Sequence, residues 1–259
     1  MKQKHIEREW KQLLKREEQF LSSGSKARSA GWQEKIARFV PEKLNDTLDA
    51  AFYKAFELIF EKGTGVIEKT CRKEKKEQNY KINEYTANVR NSRRSLRAFG
   101  REAGFASHVN TAFSAVEGVG MGLVGMGLPD IPVFLGIILK SIYEIALSYG
   151  FSYDSEEEQI FILKLIETAL SRENALMEGN IRLNRWMERQ AGFDCTRTEQ
   201  MKSTSDALAK ELLYLKFVQG IPIVGVVGGL SDMVYQKKIS DYAALKYKRR
   251  FLLKYRRPL

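Results

Sequence analysis

The stretch from Glu117 to Asp154 (EGVGMGLVGMGLPDIPVFLGIILKSIYEIALSYGFSYD) constrains the fold more than any other part of the chain. Twelve uncharged residues, Gly118 to Pro129, carry a glycine at nearly every second or third position. Asp130 follows, then nine more uncharged residues, Ile131 to Leu139, and a half-polar helical pattern that ends at Tyr149-Gly150-Phe151. A membrane-spanning helix needs roughly 20 mostly apolar residues. Asp130 and Lys140 cut this run into shorter pieces, and a charge at mid-bilayer costs at least about 2.5–3.5 kcal/mol. Pro129 and Pro132 would also disturb a spanning helix. Two arrangements remain: a helical hairpin buried in protein, which the length rule favours, or a segment that dips into one leaflet.

A second glycine-rich apolar run, Phe217 to Ser231 (FVQGIPIVGVVGGLS), is fifteen residues long and again too short to span. Each run holds a Gly-x-x-x-Gly pair, Gly118/Gly122 and Gly225/Gly229, a spacing that lets two helix backbones approach closely. Gly127-Leu128-Pro129-Asp130 is echoed by Gly229-Leu230-Ser231-Asp232. The two runs are therefore expected to pack on each other, with Asp130 and Asp232 as candidate carboxylates at the mouth of any apolar pocket between them. As first residues of helices after a glycine bend, both aspartates also have a simpler reading as caps.

The rest of the chain reads as helix. Hydrophobic content of 44% with 29% charge suits a globular protein, and five prolines in 259 residues favour helix. Ile6, Trp10, Leu13, Leu14, Phe20 and Leu21 share one face of an N-terminal helix that ends near Ser22-Ser23-Gly24-Ser25. Trp32, Ile36, Phe39 and Val40 form a short second pattern. Leu44, Leu48, Phe52, Ala55 and Ile59 form a third, closed by Gly63-Thr64-Gly65. Gly150 reads as a helix C-cap. Ser155 with Glu158, and Thr196 with Glu199, read as capping boxes. Ile160 to Leu170 is apolar almost all round, the mark of a buried helix. Met201, Ser205, Leu208, Leu212 and Leu215 repeat as a packing seam.

The net charge of +11 is unevenly spread: net +9 over residues 1–104, −5 over 105–217 and +7 over 218–259. Such asymmetry implies an anionic partner, or basic ends that close on the acidic middle. Residues 66–104 are strongly basic, with a thin apolar stripe (Ile82, Tyr85, Val89, Leu96, Phe99) beside Arg90, Arg93, Arg94, Arg97 and Arg101. They read either as a solvated face or as a surface for phosphate or lipid. At the C-terminus Ile239, Ala243, Tyr247, Phe251 and Tyr255 recur every fourth residue. Lys248, Arg249, Arg250, Arg256 and Arg257 lie largely outside that stripe. The stripe is expected to dock on the helical core, leaving these cations free for an anionic surface; the rival is that they meet the acidic middle.

Motifs for chemistry are sparse. Gly120 to Gly125 fits G-x-G-x-x-G, but no strand precedes it and Pro129 and Asp130 interrupt the following helix. No Gly-Lys-Ser/Thr phosphate loop occurs. With two histidines, His5 and His108, no local nucleophile–histidine–acid motif can be assembled. Cys71 and Cys195 are too few for a disulfide framework or a cysteine zinc site. MKQKHIEREWKQ has no apolar signal region, so a cytoplasmic location is expected.

Gly127-Leu128-Pro129-Asp130-Ile131-Pro132, Lys140, Ile142 to Ala146, Tyr149-Gly150-Phe151 and Glu156-Glu157-Glu158 together resemble the core signature of the EcsC family. Gly220 to Gly225 and Tyr247 to Leu252 resemble its C-terminal part. The resemblance covers residues 30–255. It implies a helical fold and no catalytic residues. Through the neighbouring gene that gives the family its name, it also implies a role near the cytoplasmic membrane and an ABC-type exporter.

The expected architecture is all-α, a multi-helix bundle around the two glycine-rich segments, with an N-terminal amphipathic arm (1–30) and a helical domain (31–259). The expected role is that of a non-enzymatic accessory or regulatory protein without a cofactor, peripheral on the inner face of the cell membrane. Its partner would be an anionic membrane surface or a membrane protein complex. The alternatives are a soluble helical module that binds a protein partner or, less favoured, nucleic acid through its basic segment, and an enzyme or lipid carrier using the pocket at Asp130 and Asp232. If the glycine runs meet, Gly122→Leu or Gly225→Leu should destabilise the protein by about 1–3 kcal/mol through overpacking. Thermal melts would show this as a lowered midpoint for each variant.

Overall fold

A computed structural model describes residues 2–25, 42–63, 73–107, 130–189, 192–218 and 230–256. The described residues form helices and no strand: α1 (Gln3–Ser25), α2 (Glu42–Leu58), α3 (Lys73–Arg90), α4 (Arg93–Ser107), α5 (Asp130–Ser148), α6 (Glu156–Leu170), α7 (Glu173–Arg189), α8 (Arg197–Val218) and α9 (Leu230–Tyr255). α2 runs on into one π turn, Ile59–Gly63. The all-α expectation holds. The glycines Gly118, Gly122, Gly225 and Gly229 and the segment Trp32 to Val40 lie outside the described residues.

α9 and α5 form the centre. α9 packs on α1, α4, α5 and α6, while α5 packs on α2, α3, α4 and α9. The four-residue repeat of the C-terminal segment becomes one buried row: Ile239, Ala243 and Tyr247 have no exposed surface and Phe251 has 2%. In α5, Leu135, Ile138, Leu139, Ile142 and Tyr143 are all fully buried. Each such side chain contributes about 1.5–3 kcal/mol of burial free energy. Most described side chains between Ile131 and Tyr149 are therefore covered by protein. No described helix is long and apolar enough to cross a membrane. Pro132 is tolerated because it sits in the first turn of α5, where backbone N–H groups have no helical acceptor anyway.

α1 shares this core rather than standing apart as an arm. Ile6, Trp10 and Leu13 are buried in the same cluster as the α5 and α9 side chains, and α1 lies against α9 and α7. The packing seam of α8 forms at Met201, Ser205, Leu208 and Leu212, which are buried where α8 meets α2 and α6; the Leu215 side chain lies outside the described residues.

The predicted caps form with one informative difference. At α8 the box is complete. Thr196 N–H donates to the Glu199 carboxylate at 2.8 Å and Glu199 N–H to the Thr196 hydroxyl at 3.2 Å. At α6, Ser155 accepts from Glu158 N–H at 3.2 Å, but the Glu158 carboxylate turns away to Tyr247 and Arg250 of α9, at 2.6 Å each. A buried phenol and a guanidinium outcompete the backbone amide for it.

Gly150 ends α5 with φ +78°, and Gly150 N–H donates to Leu147 O and Phe151 N–H to Ala146 O, each at 3.0 Å, the paired bonds of a glycine C-cap. A Cβ at this position would collide with the Tyr80 ring of α3. Gly150→Ala therefore combines left-handed strain with overpacking, and should destabilise the protein by about 2–4 kcal/mol. A urea titration read by circular dichroism would show the midpoint falling.

Candidate functional site

α9 places its cations against carboxylates of its neighbours. Arg249, 7% exposed, bonds Glu17 of α1 at 2.8 Å and Glu188 of α7 at 2.7 Å. Arg250 bonds Glu158 at 2.6 Å and stacks over Phe151, Phe161 and Trp186, its guanidinium carbon 4.2–4.9 Å from the ring centres. Lys248 reaches Glu9 at 2.8 Å and Arg256 reaches Glu7 at 3.0 Å. Lys246 is fully buried, held by Glu17, Asn180 and Asn184. Burial pushes its ammonium down to about 8, and the Glu17 charge opposes that fall.

This corrects the reading of a free basic tail. A helix with neighbours on several sides has no broad outward face, so four of the five cations named from the sequence sit in ion pairs; Arg257 lies outside the described residues. Their partners come from the acidic middle (Glu158, Glu188) and also from α1 (Glu7, Glu9, Glu17), inside the most basic part of the chain. Reversing Arg249 and Arg250 to glutamate would set new carboxylates against Glu17, Glu188 and Glu158. It would break the core.

Unneutralised positive charge collects elsewhere, in a groove of about 990 Å³ between α1, α4 and α9. Its floor is apolar: Leu96, Phe251 and Leu252 are buried, as is the Tyr149 ring. Burial raises the Tyr149 phenol well above its ordinary value, so it stays neutral. Its rim carries Arg16, Arg93, Arg94, Arg97, Arg101 and Lys248. Successive turns of α4 place the arginines on one side, and α1 supplies Glu9, Gln12 and Arg16 opposite them.

One buried glutamate organises the rim. Glu9, 3% exposed, accepts from Arg93 at 2.8 Å, Arg97 at 3.1 Å and Lys248 at 2.8 Å. Burial alone would raise its pKa, but these three cations hold it down at about 2. One negative charge against three leaves this cluster positive. Arg16, Arg94 and Arg101 are exposed and pair with no carboxylate among the described residues. The other acidic residue of the groove, Asp241, is bonded to Lys237. The arrangement suits an anionic, partly apolar ligand: arginine forks for phosphate or carboxylate oxygens above a greasy floor.

Asp130 is the first residue of α5 and Asp232 the third of α9; their side chains lie outside the described residues. Among the described residues no three His, Cys, Asp or Glu side chains gather into a set able to hold a metal ion. The α4 arginines were visible in the sequence as a basic stripe. What was missed is the opposite wall. The available signal was the presence of Glu9, Gln12 and Arg16 beside the Ile6–Trp10–Leu13 face of α1.

The described residues form an all-α fold with an arginine-rimmed cleft between α1, α4 and α9. The chain belongs to the EcsC protein family, whose family model matches residues 4–252 and so includes α1. Protein EcsC of Bacillus subtilis (strain 168) is 25% identical over 133 residues, covering 50% of this chain and 54% of that protein. The uncharacterized protein YdbA of the same organism is 24% identical over 154 residues, 55% of this chain and 54% of its own length. The chain thus spans about half the length of the curated relatives it matches. No solved structure matches it.

The Glu9 cluster has a pH signature. A carboxylate whose folded pKa is depressed stabilises the fold above its ordinary value of 4.5, and that stability is lost as pH falls through about 2. The wild-type urea midpoint should therefore drop steeply across this window. Glu9→Gln should be less stable at neutral pH and show a flatter profile over the same range.

Proposed function

We propose that this protein is a non-enzymatic accessory or regulatory protein of the cytoplasmic membrane face, and that its α1/α4/α9 groove binds anionic headgroups. The observation that carries the reading is the excess positive charge above a buried apolar floor. Arg16, Arg94 and Arg101 are exposed and have no carboxylate partner among the described residues, and Glu9 neutralises only part of the remaining charge. Such a rim attracts a negatively charged surface, with each cation contributing about 1 kcal/mol near it. Binding rather than turnover is favoured because the sequence holds no phosphate loop and no local nucleophile–base motif. Family association adds an ABC-type exporter in the same membrane as the partner to look for. Of the tail cations only Lys248 reaches the groove, while Arg249, Arg250 and Arg256 are paired with glutamates of other helices.

Vesicle flotation tests the reading. Wild type should float with phosphatidylglycerol vesicles at low salt, stay behind with phosphatidylcholine, and be released as salt rises. Arg94→Glu with Arg101→Glu should abolish flotation without moving the thermal midpoint, because neither side chain has a partner to lose. Wild type that ignores anionic vesicles would overturn the reading and return the groove to a protein partner presenting an acidic helix.

A further inference from the structure

α3 is built inside out. Its inward side is largely polar. Asn79 and Asn83 both donate to the Glu102 carboxylate of α4, at 2.6 and 2.9 Å, and Tyr80 donates to Glu84 at 2.9 Å. Ala87 is the one fully buried side chain of the helix. On the opposite side, Ile82, Tyr85 and Val89 stand out into solvent, 62%, 70% and 61% exposed. Their spacing of three and four residues puts them in a single row, with Gln78 and Lys75 extending it one and two turns back. The sequence read these three together with Leu96 and Phe99 as one stripe. The chain turns at Asn91 (φ +48°), so Leu96 and Phe99 enter the core while the α3 half is left outside.

Among the described residues no helix covers this row, so its apolar character calls for another partner. Three side chains are far fewer than the roughly 20–30 residues a side of a stable protein interface. A twofold contact between copies would also bring like charges together. α3 and α4 carry nine Lys and Arg against four Glu, and two of those four, Glu84 and Glu102, are engaged in the inward hydrogen bonds. Lys75, Lys81 and Arg90 around the row are exposed and pair with no carboxylate among the described residues. Isolated apolar side chains, one of them a tyrosine, ringed by free cations fit the headgroup–acyl boundary of an anionic bilayer.

We propose that the outward face of α3 is a membrane-insertion surface, which sinks Ile82, Tyr85 and Val89 into an anionic bilayer beneath Lys75, Lys81 and Arg90. The inference rests on the reading that the protein works at an anionic membrane, and adds a contact made of apolar insertion where the groove acts through charge.

The test uses the full chain with phosphatidylglycerol vesicles. The triple variant Ile82→Ser, Tyr85→Ser, Val89→Ser should bind on the order of tenfold or more weakly than wild type, given the apolar area withdrawn. It should melt at the wild-type temperature. The Tyr85→Trp variant should gain a blue-shifted emission on binding, taken as the difference from wild type, and brominated lipid should quench it. If wild type does not bind these vesicles, the membrane reading itself falls and this inference with it. If wild type binds and Arg94→Glu with Arg101→Glu does not, while the triple serine variant binds normally and the Tyr85→Trp emission is unmoved, only the insertion surface is wrong. A melting point lowered by several degrees in the triple variant would mean that protein covers the row and would overturn the proposal. So would a wild-type dimer that the triple variant dissolves in sedimentation.

Discussion

The ion pairs between α9 and α1, α6 and α7 are the constraint on which the remaining structure depends. Glu17 faces both Lys246 and Arg249, Glu158 faces Arg250, and Glu9 faces Lys248. Charges this deep are stable only in company: desolvation costs several kcal/mol per ion, and only a well-placed opposite charge with further hydrogen bonds offsets it. Asn180 and Asn184 of α7 complete the set around Lys246. The apolar row of α9 would dock on any greasy face, but its cations accept only neighbours that offer glutamates at the right turns. The first helix of the chain is thereby fixed against the last.

The same pairing decides where charge is left over. The tail, although rich in Lys and Arg, is largely neutralised in place. The α4 arginines share one glutamate among several cations, and the surplus stands over the floor formed by Leu96, Tyr149 and Phe251. α3 adds a different surface, apolar where it meets solvent and, apart from Tyr80 and Ala87, polar where it meets protein. Both features lie on the basic segment that precedes the central apolar stretch.

Much of the helical layout was legible in the residues. The four-residue row from Ile239 to Phe251, the described part of the α8 seam, the Thr196–Glu199 box and the Gly150 cap each depend on spacing within one helix, and each forms. The errors share a cause. Arg249 and Arg250 looked free because a single helix wheel shows which residues share a face and not how many other helices crowd that helix. Ile82 to Phe99 looked like one stripe because periodicity carries across Asn91, where the backbone does not. Glu158 was assigned to its own helix terminus because the stronger partners, Tyr247 and Arg250, are remote in sequence.

The sequence by itself determined that this chain is helical and where several of its helices begin and end, because capping, glycine conformation and apolar period act over a few residues. It also determined that no charge-free run is long enough to span a bilayer. Only the tertiary structure decided which cations are neutralised and which remain available, since that depends on bonds between residues as far apart as Glu9 and Lys248. Tertiary structure alone, too, turned Leu96 inward and Ile82 outward, because burial belongs to the assembled bundle and not to the helix that carries the side chain.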